Sequence, residues 1–252
     1  MSHARIRFAV VCAGLVFGPI ATASPAVSTY LKEAVADKDR PASDTKRDEY
    51  YKPAEVIAFA GVKPGMRVAD FMAGDGYYSR LFSKIVGPKG YVYAYYATQE
   101  DTPAIKRGGK VGDMLSSYSN VGIVHGPAET FVAPEKLDLV WTGLTYHDMH
   151  GPNFKGMDVG TANKAVYDAL KPGGIYIVLD RSSRPGAGLN DLAALARIDE
   201  AIVKSEVEAA GFKFVGESNA LRNPADDLGG RVTKAEYQKR PDEFILKFQK
   251  PR

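Results

Sequence analysis

The chain has 252 residues, 25% of them charged, and a formal net charge of +3. That length suits one α/β domain of roughly 200 residues with a full core. Lysines and arginines are interspersed with acids and form no stripe, so no nucleic-acid partner is expected. The single cysteine, Cys12, lies in a segment expected to be removed, which leaves no disulfide, thiol nucleophile or cysteine-bound metal.

In chain order, the first segment is a leader. Arg5 and Arg7 precede an apolar run from Phe8 to Ile20, and Ala21-Thr22-Ala23 offers small residues where a signal peptidase cuts. The pattern predicts a signal peptide over residues 1–23 and a periplasmic mature protein. A retained membrane anchor is the other reading. The run is short for a bilayer and broken by Gly14 and Pro19, so no stable insertion is expected after cleavage. Val10-Val11 before Cys12 does not make a lipoprotein box. Losing Arg5 and Arg7 takes two charges from the formal +3 and leaves +1.

Residues 24–48 read as a polar arm with one helix around Val27–Val35, and residues 49–252 as the main domain. Pro53 suits the first turn of a helix over Ala54–Ala60, closed by Gly61. Strands are predicted at Arg67–Phe71, Tyr91–Tyr95, Val121–His125, Leu137–Thr142 and Ile175–Leu179. A helix over Tyr77–Val86 puts Tyr78, Leu81, Phe82 and Ile85 on one face. Thr102–Ser119 reads as irregular, with a short helix near Gly112–Ser117. Tyr146–Gly160 reads as a long loop and Ala162–Leu170 as a helix. The apolar spacing from Leu192 to Ala210 fits one or two helices. Phe212–Ser218 and Glu243–Lys247 then form a last strand pair with no helix between them. Strands alternating with helices imply an α/β fold. It is doubly wound, with a mostly parallel seven-stranded sheet and an antiparallel edge hairpin, in the Rossmann-like manner.

The first strand, Val68-Ala69-Asp70-Phe71, runs into Met72-Ala73-Gly74-Asp75-Gly76 and then a helix. Glycines there let the main chain approach a ligand beside a helix N-terminus. A dinucleotide site needs G-x-G-x-x-G, but Ser79 stands where the third glycine belongs. Asp70 with Gly74 and Gly76 suits a ligand carrying an ammonium and a carboxylate, the amino-acid end of S-adenosylmethionine. The same residues also suit a tight turn with no ligand.

The approach Val62–Asp70, the turn Leu170-Lys171-Pro172-Gly173-Gly174 and Ala209-Ala210-Gly211-Phe212 resemble the class I S-adenosylmethionine-dependent methyltransferases. More narrowly, the chain resembles a group of exported, predicted methyltransferases. The matching segments are Lys52–Glu55, Gly74–Tyr78, Tyr146-His147-Asp148, Arg197–Asp199, Leu221–Pro224 and Phe244–Pro251. The resemblance implies S-adenosylmethionine as cofactor, held by Asp70, Gly74 and Gly76. It places Tyr96 where an acid usually bonds the ribose, and Pro127 with nearby Glu129 where an acid usually meets the adenine. Met72 replaces the usual first glycine. Histidines implied near Arg181 and at Ala196 are missing from this chain.

His147 beside Asp148 reads as a general base for a small-molecule methyl acceptor. It reads equally as a packed structural histidine. A metal site on His147, Asp148 and His150 lacks a further evident ligand, and no metal is expected. Arg181 and Arg184 can hold an anionic substrate or lie in solvent. A non-catalytic binding or scaffold protein that keeps the fold is the alternative to an enzyme. Nothing in the sequence fixes the oligomeric state.

Overall fold

A computed structural model describes residues 27–97, 115–154, 156–231 and 240–252. The expected leader, the start of the arm and most of Thr102–Ser119 lie outside the described residues. The arm forms three short helices, α1 (Thr29–Val35), α2 (Ala42–Thr45) and α3 (Asp48–Tyr51), where the sequence suggested one. Then come α4 (Pro53–Ala60), β1 (Arg67–Phe71), α5 (Tyr77–Val86), β2 (Tyr91–Ala97), β3 (Val121–Gly126) and β4 (Leu137–Gly143). The expected loop after β4 opens with a helical turn, α6 (Tyr146–Met149), and α7 begins early (Val159–Ala169). Asp158 caps α7 by accepting the Thr161 N–H, which sets that earlier start. The chain closes with β5 (Leu170–Arg181), α8 (Leu192–Leu195), α9 (Glu200–Ala209), β6 (Lys213–Ser218) and β7 (Glu243–Gln249).

The strands form one seven-stranded sheet in the order β3-β2-β1-β4-β5-β7-β6. β7 runs antiparallel to both β5 and β6, and the other pairings are parallel. Alternation along each strand sends side chains to opposite faces. Val68, Val92, Leu139, Trp141, Ile177 and Ile245 face α1, α4 and α5. Ala69, Phe71, Tyr93, Val140, Tyr176 and Val178 face α7 and α9. Both faces are covered, which is why the central strands read as continuous apolar runs.

Chain order reverses at β1, flanked by β2 on one side and β4 on the other. Doubly wound sheets bind ligands outside the carboxyl ends of the strands at such a switch point. Every candidate residue named above from β1, β4 and β5 lies at that edge.

Candidate active site

The β1–α5 turn comes first. Met72, Gly74 and Gly76 all take positive φ, of 61°, 58° and 76°. Glycine adopts this conformation freely, whereas Met72 bears it at a cost, offset by a side chain buried against Ala69 and Phe71. Gly74 is exposed, and a Cβ built on it would meet nothing nearer than the Met72 carbonyl at 4.0 Å. Gly76 is covered: a Cβ there would lie 3.1 Å from an Arg80 nitrogen and 3.2 Å from Leu115. The reachable part of the turn is therefore Gly74-Asp75.

Asp70 lies beneath this turn, only 3% exposed. The Ser79 hydroxyl donates to its carboxylate at 2.6 Å. Burial pushes the Asp70 carboxyl up to about 7, against the pull of the Ser79 hydrogen bonds. Asp70 holds the turn to the first helical turn of α5 from below and does not reach outward.

Tyr96 ends β2, buried, with its ring stacked 5.4 Å from that of His125. Among the described residues its hydroxyl has no hydrogen-bond partner. That orphaned group at the end of β2 can meet one ligand hydroxyl, where a carboxylate could accept two. The Glu129 carboxylate accepts the Asp158 N–H at 3.1 Å, tying the loop after β3 to α7. The open cradle at Gly74 and the free Tyr96 hydroxyl fit the amino-acid and ribose parts of S-adenosylmethionine, with fewer bonds than two acids would supply.

The second half of the site stands at the ends of β4 and β5. His147, on α6, is buried and its Nδ1 lies 2.8 Å from Asp180 Oδ1. Asp180 also accepts the His147 and Arg181 backbone N–H groups, each at 2.8 Å. Burial opposes charge on the His147 ring, but the Asp180 carboxylate outweighs it and the pKa is raised. Burial likewise opposes ionisation of Asp180, and His147 with Arg181 and the donated hydrogen bonds hold its pKa below the ordinary value. With Asp180 on Nδ1, the neutral ring carries its proton there and leaves Nε2 as acceptor. Asp148, expected as the partner, stands on the other side, 3.6 Å from Nε2. Sequence proximity suggested Asp148; the contact that orients the ring comes from a residue 33 positions away. The signal was present: Asp180 ends a buried apolar strand, as Asp70 does.

Other expected residues sit elsewhere. His150 pairs with Glu206 at 3.0 Å and ties α6 to α9. Among the described residues no group of three or more histidine, cysteine or acidic side chains could hold a metal ion. Arg184 is exposed beside Asp191, whereas Arg181 is buried opposite Glu243 in the β5–β7 register. Glu243 is also buried, takes a hydrogen bond from the Tyr50 hydroxyl at 3.2 Å, and is pushed by burial up to about 8. The segments around Arg197 and Arg222 are structural ties, through Arg197–Asp226 at 2.8 Å and Arg222–Asp242 at 3.1 Å.

Known structures share the fold. A SAM-dependent methyltransferase from Aquifex aeolicus superposes with a TM-score of 0.57 at 20% identity, covering 84% of this chain and 99% of that one. The fold is that of the class I methyltransferases. The [4+2]-cyclase SpnF shares it too, with a TM-score of 0.56 at 17% identity over 86% of this chain and 85% of its own. By sequence, the chain is 25% identical over 189 residues to the ubiquinone/menaquinone biosynthesis C-methyltransferase UbiE of Shewanella sediminis, covering 72% of this chain and 70% of that enzyme. The enzyme of the same name from Shewanella oneidensis is 26% identical over the same span. No protein-family model matches the chain.

Proposed function

We propose that this protein is an exported S-adenosylmethionine-dependent methyltransferase acting on a small molecule. The observation that carries the reading is the open Gly74-Asp75 turn at the switch point, one strand away from a buried base. Curated relatives named as C-methyltransferases support it. Export rests on the pattern of residues 1–23, and among the described residues no helix is long and apolar enough to cross a membrane.

Gly74 and Tyr96 would hold the amino-acid and ribose ends of the donor, with Asp70 shaping the turn. Bound there, the donor supplies an electrophilic methyl group. The chain's own part is proton handling and positioning. Neutral His147 accepts the acceptor's proton at Nε2, and Asp180 stabilises the imidazolium so formed without taking the proton itself. Asp148 lies beside the same nitrogen and favours the charged ring electrostatically. Calorimetry of the mature protein with S-adenosylmethionine tests the reading. Saturable heat is expected, weakened about tenfold or more in Gly74→Val, whose side chain would fill the cradle. No heat at millimolar donor from a folded protein refutes it.

A second reading, a non-catalytic periplasmic binding or scaffold protein, is favoured by one observation. Tyr96 stands in place of an acid at the end of β2, so donor affinity is reduced. If Gly74→Val leaves the protein's cellular role intact, this reading replaces the first.

A further inference from the structure

β7 runs antiparallel to both its neighbours, so β1 to β6 begin, and β7 ends, at one edge of the sheet. That edge lies opposite the Gly74 turn. Lysines gather there. Lys63 lies in the turn before β1, Lys89 before β2 and Lys136 before β4, and all three are exposed. Lys213 opens β6, also exposed, and Lys250 follows β7. In the sequence these residues stand far apart and form no stripe. The common start of the strands brings them together.

Nearby acids do not cancel this charge. Glu135, Asp138 and Asp168 stand at the same edge, but each is taken by a further cation: Arg67 at 2.6 Å, Lys171 at 2.6 Å and Lys164 at 2.5 Å. Lys136 donates to the Asp168 carbonyl, and Lys250 to the Tyr167 and Leu170 carbonyls, all at the end of α7. A helix end carries about half a negative charge, less than two ammonium groups bring. Glu208, which accepts the Phe214 N–H at the start of β6, is the acid that stands against these lysines. The crowding is felt. Burial first, then Lys136 and Lys164, hold the Lys250 pKa below its ordinary value against the pull of Asp168. Burial and then Lys63 lower that of Lys247 on β7. Without its leader the chain carries only +1 overall, so this excess is local to one edge.

From Lys89 at β2 to Lys213 at β6 the lysines cross five strand spacings, about 24 Å. Screening at physiological salt acts over about 8 Å, so no small anion meets all of them. An extended anionic surface does. Lysine ammonium groups are compact point charges, without the planar fork by which arginine grips a nucleic-acid phosphate or base edge. We propose that this edge of the sheet docks on a bilayer surface rich in anionic phospholipid headgroups. The contact is peripheral and electrostatic, and among the described residues no helix is long and apolar enough to cross the bilayer. With the amino ends of the strands against the headgroups, the Gly74 turn faces away from them. The docking does not depend on what that turn binds.

The mature protein is sedimented with vesicles of phosphatidylglycerol mixed with phosphatidylcholine, and with vesicles of phosphatidylcholine alone. Binding to the first and not to the second is expected. It should be lost as salt approaches 1 M, where the screening length falls to about 3 Å. Lys89→Glu and Lys213→Glu each reverse one exposed charge at the edge, with circular dichroism as a check on folding. Each should weaken binding to the anionic vesicles about fivefold or more, the scale of one basic side chain at such a surface. Lys46→Glu, exposed at the end of α2 on the Gly74 side of the sheet, makes the same charge change and should leave binding as it was. The proposal is overturned if neither kind of vesicle binds, if both bind alike, or if Lys89→Glu and Lys213→Glu bind like the parent. It is overturned too if Lys46→Glu weakens binding as much as they do. Short duplex DNA that strips the protein from the vesicles at equal phosphate would assign the edge to nucleic acid instead.

Discussion

At the scale of single residues, the His147–Asp180 pair decides how the site handles protons. The His147 pKa is raised above its ordinary 6.5, so the ring's contribution to stability is complete below that pH. It is lost as pH rises through the folded value. Asp180, held below its ordinary 3.8, contributes above that pH and loses its contribution on further acidification. The pair is therefore strongest between the two ordinary values. The base role proposed for His147 requires the neutral ring, so on that reading activity should rise with pH through the raised His147 value. Asp180→Asn removes the charge that outweighs burial. The His147 midpoint should then fall, and the acid limb of any rate profile should move with it. Titration of the His147 ring by NMR checks this; an unmoved midpoint would show that Asp180 does not set the ring's charge. This partnership was not legible locally. His147 and Asp148 are adjacent in sequence, but the meeting with Asp180 depends on the pairing of β4 with β5. By contrast Asp70, Gly74 and Gly76 were visible as a turn, because strand, turn and helix are contiguous. What the sequence could not show was that Ser79 closes over Asp70.

At the scale of elements, the arm matters more than its polar composition suggested. Leu31 and Ala34 of α1 are buried in the core that faces α5. From α2, the fully buried Asp44 receives Arg80 in two contacts, of 2.6 and 2.9 Å. Arg47 bridges Asp44 and the turn residue Asp75, at 2.8 and 2.7 Å. The arm is thus tied to α5 and to the turn that would hold the donor. A run such as Ser43-Asp44-Thr45-Lys46-Arg47-Asp48 reads as solvated because its charges find partners only in the folded chain. Breaking a buried ion pair from one side leaves an uncompensated charge. Asp44→Ala should therefore destabilise the protein by about 3–5 kcal/mol, read from its urea midpoint. Adding Arg80→Met should recover part of the loss, since both charges are then gone. If the double variant is no more stable than Asp44→Ala, the ion pair is not what fastens the arm.

At the scale of the whole molecule, the seven-stranded, mostly parallel sheet was legible because each predicted strand found a place in it. The boundaries were less so. β5 extends beyond the expected Ile175–Leu179 at both ends, because β4 and β7 flank it and continue its ladder. The last strand made, β7, is not the last in space. It lies between β5 and β6, with Phe244, Ile245, Leu246 and Phe248 fully buried. β7 must therefore be made before the sheet can close, and the pairing of β5 with β7 joins residues distant in sequence, which slows folding. A chain ending at Asp242 keeps every other strand but lacks the link between β5 and β6. It leaves two open edges and two apolar faces short of partners. That truncated chain should lose cooperative unfolding and associate through the exposed β5 edge. Thermal melting with size-exclusion chromatography reads both properties. A monomer with a sharp transition would show that β7 is dispensable, and that the closing of the sheet does not wait for it.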